Sequence, residues 1–213
     1  MPIFLGLVGS LVIGISDFCA RYVARRNHAA TTAATGLIFA TSAAVLVASF
    51  GPGGFLATDY VFGCVSGLAS GCALALLYRG LAVSSVAVVS PIVAVMLGAI
   101  PMFWEVVTGT SLTTGVLSGV FVALFGLMVT TFDPALGDRV KQGVILGLAS
   151  GLCFGIGLVF MAQTSVEGGL WPVVGQRSTA CIILIGFCTV RGLPRSVRGH
   201  LLRFSAAAGI LGS

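Results

Sequence analysis

Long apolar runs separated by short polar gaps make up this chain from end to end. Runs of roughly twenty apolar residues fall at 3–22, 30–50, 61–79, 84–108, 112–132, 143–163 and 170–190. An eighth opens near 201 and is still apolar at Ser213. A helix crosses the hydrocarbon core of a bilayer with about 20 predominantly apolar residues. Each run therefore predicts one membrane-spanning α-helix, and no gap is long enough for a soluble domain. The first run is too long, and too quickly followed by others, to be only a cleaved leader. The pattern predicts an all-α, polytopic membrane protein with about seven full transmembrane helices and the start of an eighth.

Composition agrees: 57% of residues are hydrophobic, 8% are charged, and the mean hydropathy is +1.12, which excludes an ordinary soluble domain. The net charge of +5 does not read as nucleic-acid binding, because ten of the eleven basic residues sit in gaps or at segment ends. There they set topology. Arg21, Arg25 and Arg26 follow the first segment, Arg79 ends the third, and Arg139 and Lys141 follow the fifth. Arg191, Arg195, Arg198 and Arg203 follow the seventh. The gaps after the second, fourth and sixth segments carry only Asp59, Glu105 and Glu167. Alternate gaps lie on opposite sides, so the positive-inside rule places the basic gaps in the cytoplasm and the N-terminus outside a cell (inner or plasma) membrane. The six cysteines (Cys19, Cys64, Cys72, Cys153, Cys181, Cys188) lie inside apolar segments with no CxxC spacing. They read as packing residues, and neither a metal site nor a cofactor is expected.

The start of segment one, Leu5, Gly6, Leu7, Leu11, Gly14 and Ile15, matches Leu146, Gly147, Leu148, Leu152, Gly155 and Ile156 at a constant offset of 141. Five segments separate the two starts, and an odd number inverts the second copy in the membrane. Inverted repeats are the architecture of many secondary transporters. The expected organisation is a first five-helix repeat over 1–132, a connector over 133–142 and an incomplete second repeat over 143–213. A full second copy would need about three more helices, so a C-terminally truncated chain is expected.

Three stretches resemble a known family. Gly14-Ile15-Ser16-Asp17-Phe18 followed by Arg25-Arg26 is similar to a "G-T-S-D-F … R-R" opening. Ala75-Leu76-Leu77-Tyr78-Arg79-Gly80-Leu81-Ala82, running into Val86-Ala87-Val88-Val89-Ser90-Pro91, is similar to "A-L-Y-R-A-L-A … S-V-V-A-P". Gly109, Gly119 and Gly126 are spaced like a "G-E-R … G … G" passage. In this order they resemble the EamA-type permeases of the drug/metabolite transporter superfamily. The resemblance implies inverted five-helix repeats, usually with a cytoplasmic N-terminus, and transport of small metabolites. The chain departs from the pattern at Thr110, where the family usually has Glu; the nearest acid is Glu105.

Ionisable groups inside apolar segments cost roughly 2.5–3.5 kcal/mol each on insertion scales, so each needs a reason. Asp17, with Arg21 at i+4, reads as a local ion pair or as a cavity carboxylate for a cation, a proton or a substrate amine. Glu105 follows Phe103-Trp104 and reads as a solvated helix end or a proton-linked gate. Gln176 and Arg177 lie within segment seven, where no acid pairs with the arginine; a substrate anion or neighbouring carbonyls would satisfy it. Tyr78 precedes Arg79, a topology anchor. Pro91 and Pro101 are expected to interrupt segment four, as a hinge, a cavity lining or a packing kink. Gly67-Leu68-Ala69-Ser70-Gly71 recurs as Gly147-Leu148-Ala149-Ser150-Gly151, and such spacing gives close helix contact.

The substrate-pathway candidates are thus Asp17, Tyr78, Pro91, Glu105, Gln176 and Arg177. The leading expectation is a permease for a small organic metabolite, proton-coupled or not, by alternating access within the lipid bilayer. The alternative is a non-transporting scaffold or subunit that needs a partner to complete its bundle. Catalysis is not expected: His28 and His200 both lie in gaps, and no GxSxG, HExxH or phosphate-binding loop occurs.

Overall fold

The computed structural model describes residues 26–84, 86–109, 137–194 and 196–211, with isolated residues between 11 and 23 and between 115 and 126. Six α-helices are present among the described residues: α1 Ala29–Phe50, α2 Ala57–Val83, α3 Val86–Val107, α4 Gly137–Ala162, α5 Trp171–Val190 and α6 Leu201–Leu211. A 3₁₀ turn, Val166–Gly168, precedes α5, and the described residues contain no strand. Helices α1 to α5 are each long and apolar enough to cross a bilayer. The chain is a multi-pass helical membrane protein.

These helices coincide with six of the eight apolar runs. The other two, 3–22 and 112–132, lie mostly outside the described residues. Leu11 and Ile15 in the first, and Val122 and Phe125 in the second, are helical and exposed. Five long apolar helices, not seven, are therefore seen. Two boundaries differ from expectation. Helix α4 begins at Gly137, so residues 137–142 of the expected connector are its first turns. Polar residues such as Lys141 and Gln142 let a helix run on past the apolar core. The two prolines do not interrupt α3, which continues through Pro91 and Pro101. Each removes one backbone donor, and the buried neighbours Val88, Val89 and Ile92 pack the turns beside Pro91.

Packing divides the chain into two compact units, residues 1–71 with 164–213, and residues 72–163. In the second unit α3 and α4 run parallel. Gly143 faces Ser84, Gly147 faces Val89 and Ile92, Gly151 faces Val93 and Met96, and Gly155 faces Ile100. Four glycines at four-residue spacing make a groove along α4, and Ser84 with side chains of α3 fills it. Lipid competes for apolar surface, so membrane helices associate through close van der Waals packing that only small residues permit. Helix α2 meets α4 antiparallel, with Ser150 Oγ donating to the Ala73 carbonyl at 2.8 Å and Gly80 against Leu146.

The first unit repeats the device. Gly63, Gly67 and Gly71 of α2 face Pro172, Gln176 with Thr179, and Ile183 of α5, again in parallel, and Gly175 returns the contact at Tyr60 and Cys64. Helices α1 and α6 are parallel as well. Gly209 lies on the backbone of Gly36, and Ser205 Oγ donates to the Thr32 carbonyl at 3.3 Å. Helix α1 crosses α5 antiparallel: Ala44 and Ala48 pack on Val174, while Thr31 meets Cys188 at the other end.

Charge separates along this unit. At one end the 3₁₀ turn packs on the α1–α2 loop. Gly54 N–H donates to the Glu167 carbonyl at 3.0 Å. Asp59, only 6% exposed, accepts from Ser165 N–H at 3.1 Å and Ser165 Oγ at 2.6 Å. Its place in the first turn of α2 lets the helix dipole stabilise the carboxylate. At the other end Arg26 stacks over Tyr22, and Tyr22 packs on Phe204. Within this unit the gaps after segments two and six thus meet at one end, and the residues flanking segments one and eight meet at the other.

Replacing Gly63 by Ala places a methyl against the Pro172 backbone and is expected to destabilise the protein by about 1–3 kcal/mol, the usual range for overpacking. Gly98→Ala, where nothing lies within 4 Å, should show no loss. Denaturant unfolding in detergent micelles compares the two.

Candidate functional site

The residues singled out in the sequence are divided between the two compact units. Asp17 lies outside the described residues. Gln176 and Arg177 belong to the first compact unit; Tyr78, Pro91 and Glu105 belong to the second. On α3, Pro91 and Glu105 are 14 residues apart, which is about 21 Å along a helix. These two residues of α3 therefore do not meet. Glu105 is exposed, with Phe103 and Trp104 exposed beside it. That arrangement matches a solvated helix end. Pro91 is half-buried on α3. Tyr78 is half-buried, and its neighbour Arg79 is exposed. Arg79 lines a cavity of 320 Å³ with Val83, Gln142, Ile145 and Leu146.

The best-formed polar group within the membrane-crossing helices is on α2 and α5. Gln176 Nε2 donates to Ser66 Oγ at 2.9 Å, and Ser66 is fully buried. The local sequence explains the geometry. Gly63 and Gly67 flank Ser66 on α2 and let the α5 backbone at Pro172 and Gln176 come within contact distance. A side chain at either glycine would hold the amide away from the hydroxyl. Gln176 is the sixth residue of α5, placing it about 7.5 Å along the axis from the start of the span. Arg177 follows it, half-buried, with its Nε shielded from solvent. The amide and the hydroxyl thus make an interhelical hydrogen bond at this depth, with the arginine next along the chain. Among the described residues no group of His, Cys, Asp and Glu is placed to hold a metal ion.

Two polar assemblies were not singled out in the sequence. The Asp59–Ser165 clasp joins residues more than a hundred positions apart, and Gly168 lies so close to Asp59 that any side chain there would collide with the carboxylate. Near the start of α1, Thr31 Oγ1 donates to the Pro194 carbonyl at 2.8 Å, and Val197 N–H donates to Thr35 Oγ1 at 2.9 Å. The visible signal was three threonines, Thr31, Thr32 and Thr35, opening an apolar run. Beside them lies a cavity of 590 Å³ lined by Asn27, Leu193, Pro194, Ser196 and Arg198.

No protein-family model, curated protein or solved structure matches this chain.

A double-mutant cycle on Gln176→Ala and Ser66→Ala is expected to give a coupling of about 0.6 kcal/mol, the average for interhelical hydrogen bonds in membranes. Equilibrium unfolding in bicelles reads the coupling, and strict additivity would mean the two side chains do not interact.

Proposed function

We propose that this chain is a secondary transporter of a small organic metabolite, working by alternating access between two inverted repeats in the manner of the EamA-type permeases it resembles. The observation that carries this reading is the pattern of helix contacts in the first unit. In the expected repeat, α1 and α2 occupy the second and third places of the first copy, and α5 and α6 the same places of the second. Exchanging the copies turns the α2–α5 pair into the α6–α1 pair. Both pairs run parallel, and both rest on glycine, at Gly63, Gly67 and Gly71 in one and at Gly36 and Gly209 in the other. The same exchange carries the α1–α5 pair onto itself, and that pair is antiparallel. A two-fold axis in the membrane plane demands this arrangement.

Arg177, half-buried within α5, adds to the reading, since intramembrane ionisable groups mark substrate or ion pathways. Arg177 is assigned the anionic end of the substrate, and Asp17 a cationic end or a coupling proton; together they suit a zwitterion. The basic ends of the helices are assigned to the cytoplasm.

Two measurements test this. Small-molecule profiles of cells and medium, taken by mass spectrometry, should show at least one metabolite displaced when the wild-type chain is expressed. Arg177→Gln and Asp17→Asn should each abolish or strongly reduce that displacement. Profiles identical to the empty-vector control would overturn the transporter reading, and full displacement by both variants would overturn the assigned roles. In a cysteine-free background, Gly54→Cys should react with a membrane-impermeant maleimide added outside intact cells, and Ser196→Cys only after lysis. The reverse pattern would place the N-terminus inside.

A further inference from the structure

The loop between α1 and α2 carries no polar side chain. From Phe50 to Ala57 the chain reads Phe-Gly-Pro-Gly-Gly-Phe-Leu-Ala, and residues 52–56 are all exposed. Phe50 is 88% exposed and Phe55 56%. The turn clasped to this loop adds Leu170, also exposed, and Val166, which is 97% exposed. A contiguous exposed apolar patch marks a contact with something other than bulk water.

Position is the first guide to the partner. The loop joins two spans end to end, since one runs from Ala29 to Phe50 and the next starts at Ala57. The patch therefore continues the lipid-facing surface of those helices. Phe55 packs edge-on against Trp171, with ring centroids 5.4 Å apart, and lies at the same separation from Tyr60. Tyr60 and Trp171 rest in turn on Ala44, Ala48 and Val174 of the spans. Tryptophan and tyrosine gather where headgroups meet acyl chains, because their rings are apolar with one polar tip.

Charge and backbone narrow the choice. Asp59 and Glu167 are the only charged residues in 50–60 and 164–171. Asp59 is turned inward onto Ser165, which withdraws its carboxylate from the surface. Glu167 is exposed, and with no base beside it the patch offers anionic lipid no partner. Gly54 N–H reaches the Glu167 carbonyl, but the N–H groups of Gly53, Phe55 and Leu56 make no backbone hydrogen bond among the described residues. The hydrocarbon core would leave those groups unpaired, whereas the headgroup layer supplies water to them. We propose that this loop, with Val166 and Leu170, is a docking surface for the interfacial layer of a neutral bilayer. Phe55, Leu56 and Val166 reach the headgroup–acyl boundary while the loop backbone stays hydrated. The Asp59–Ser165 clasp holds the two segments together as one platform, and its seating does not depend on transport.

The test is spin-label accessibility on the full chain in phosphatidylcholine nanodiscs, calibrated with spin-labelled lipids. Leu56→Cys and Val166→Cys are each labelled in a cysteine-free background; both positions are exposed. Oxygen, which concentrates in lipid, should relax both labels more than a neutral, water-soluble nickel chelate does. The calibrated depth should be about 5–10 Å into the headgroup–acyl boundary, as for other interfacial elements. Doping the discs with phosphatidylglycerol should leave that depth unchanged. A second reading keeps every native cysteine: in Trp104→Phe the sole tryptophan is Trp171, which packs on Phe55. Lipids brominated near the headgroup should quench its emission more than aqueous iodide does. Greater access for nickel than for oxygen at either label, or stronger quenching by iodide, would put the platform in water and overturn the proposal. Low access for both reagents would mean that protein covers the patch, and a deeper position on adding phosphatidylglycerol would mean selection of anionic lipid; either result overturns it as well.

Discussion

Close approach of helix backbones is the constraint on which the rest of this structure depends. Inside a bilayer a helix satisfies its own backbone hydrogen bonds, but apolar side chains gain little by leaving lipid for protein. Association then rests on dispersion between well-fitted surfaces and on interhelical hydrogen bonds. Glycine at every fourth position supplies the fit. On α4 the groove from Gly143 to Gly155 receives Ile92, Met96 and Ile100 of α3; on α2 the shorter groove from Gly63 to Gly71 receives the backbone of α5. Both pairs are parallel, so each joins helices that cross the bilayer in the same direction.

The same closeness sets the polar chemistry. Gln176 reaches Ser66 because the glycines on either side of the serine remove the bulk that would separate the helices. The Asp59 carboxylate meets Ser165 because Gly53 and Gly169, both with positive φ, let two loops touch. Side-chain hydroxyls do the joining at both ends of the first unit: Ser165 at the acidic end, and Thr31 and Thr35 at the basic end. Hydroxyls suit this work, since they donate and accept without the insertion penalty of a charge.

The proposed transport cycle needs paired helices that exchange under an in-plane two-fold axis. The α1–α6 and α2–α5 pairs are the candidates for that exchange, and the α1 threonines fix the segment between α5 and α6 at one end of them.

Hydropathy along the sequence determined the helices of this protein. The runs at 30–50, 61–79, 84–108, 143–163 and 170–190 each became one spanning helix, because a bilayer tolerates no other arrangement of an unbroken apolar run. The recurring glycine pattern around Gly67 and Gly147 also showed that helices would touch there. Partners were another matter. The spacing of Gly63, Gly67 and Gly71 does not say that α5 is what they receive. Pro91 carried a strong local signal, yet α3 continues as a helix through it, with the neighbouring Val89 and Ile92 packed on α4. The exposed Glu105 and the paired Gln176 looked alike as polar residues in apolar surroundings, and only their neighbours separate them. Local preference and burial from water are written residue by residue, so they can be read from one strand of sequence. Contacts between residues a hundred positions apart depend on which surfaces fit at close range, and that was decided only when the helices packed.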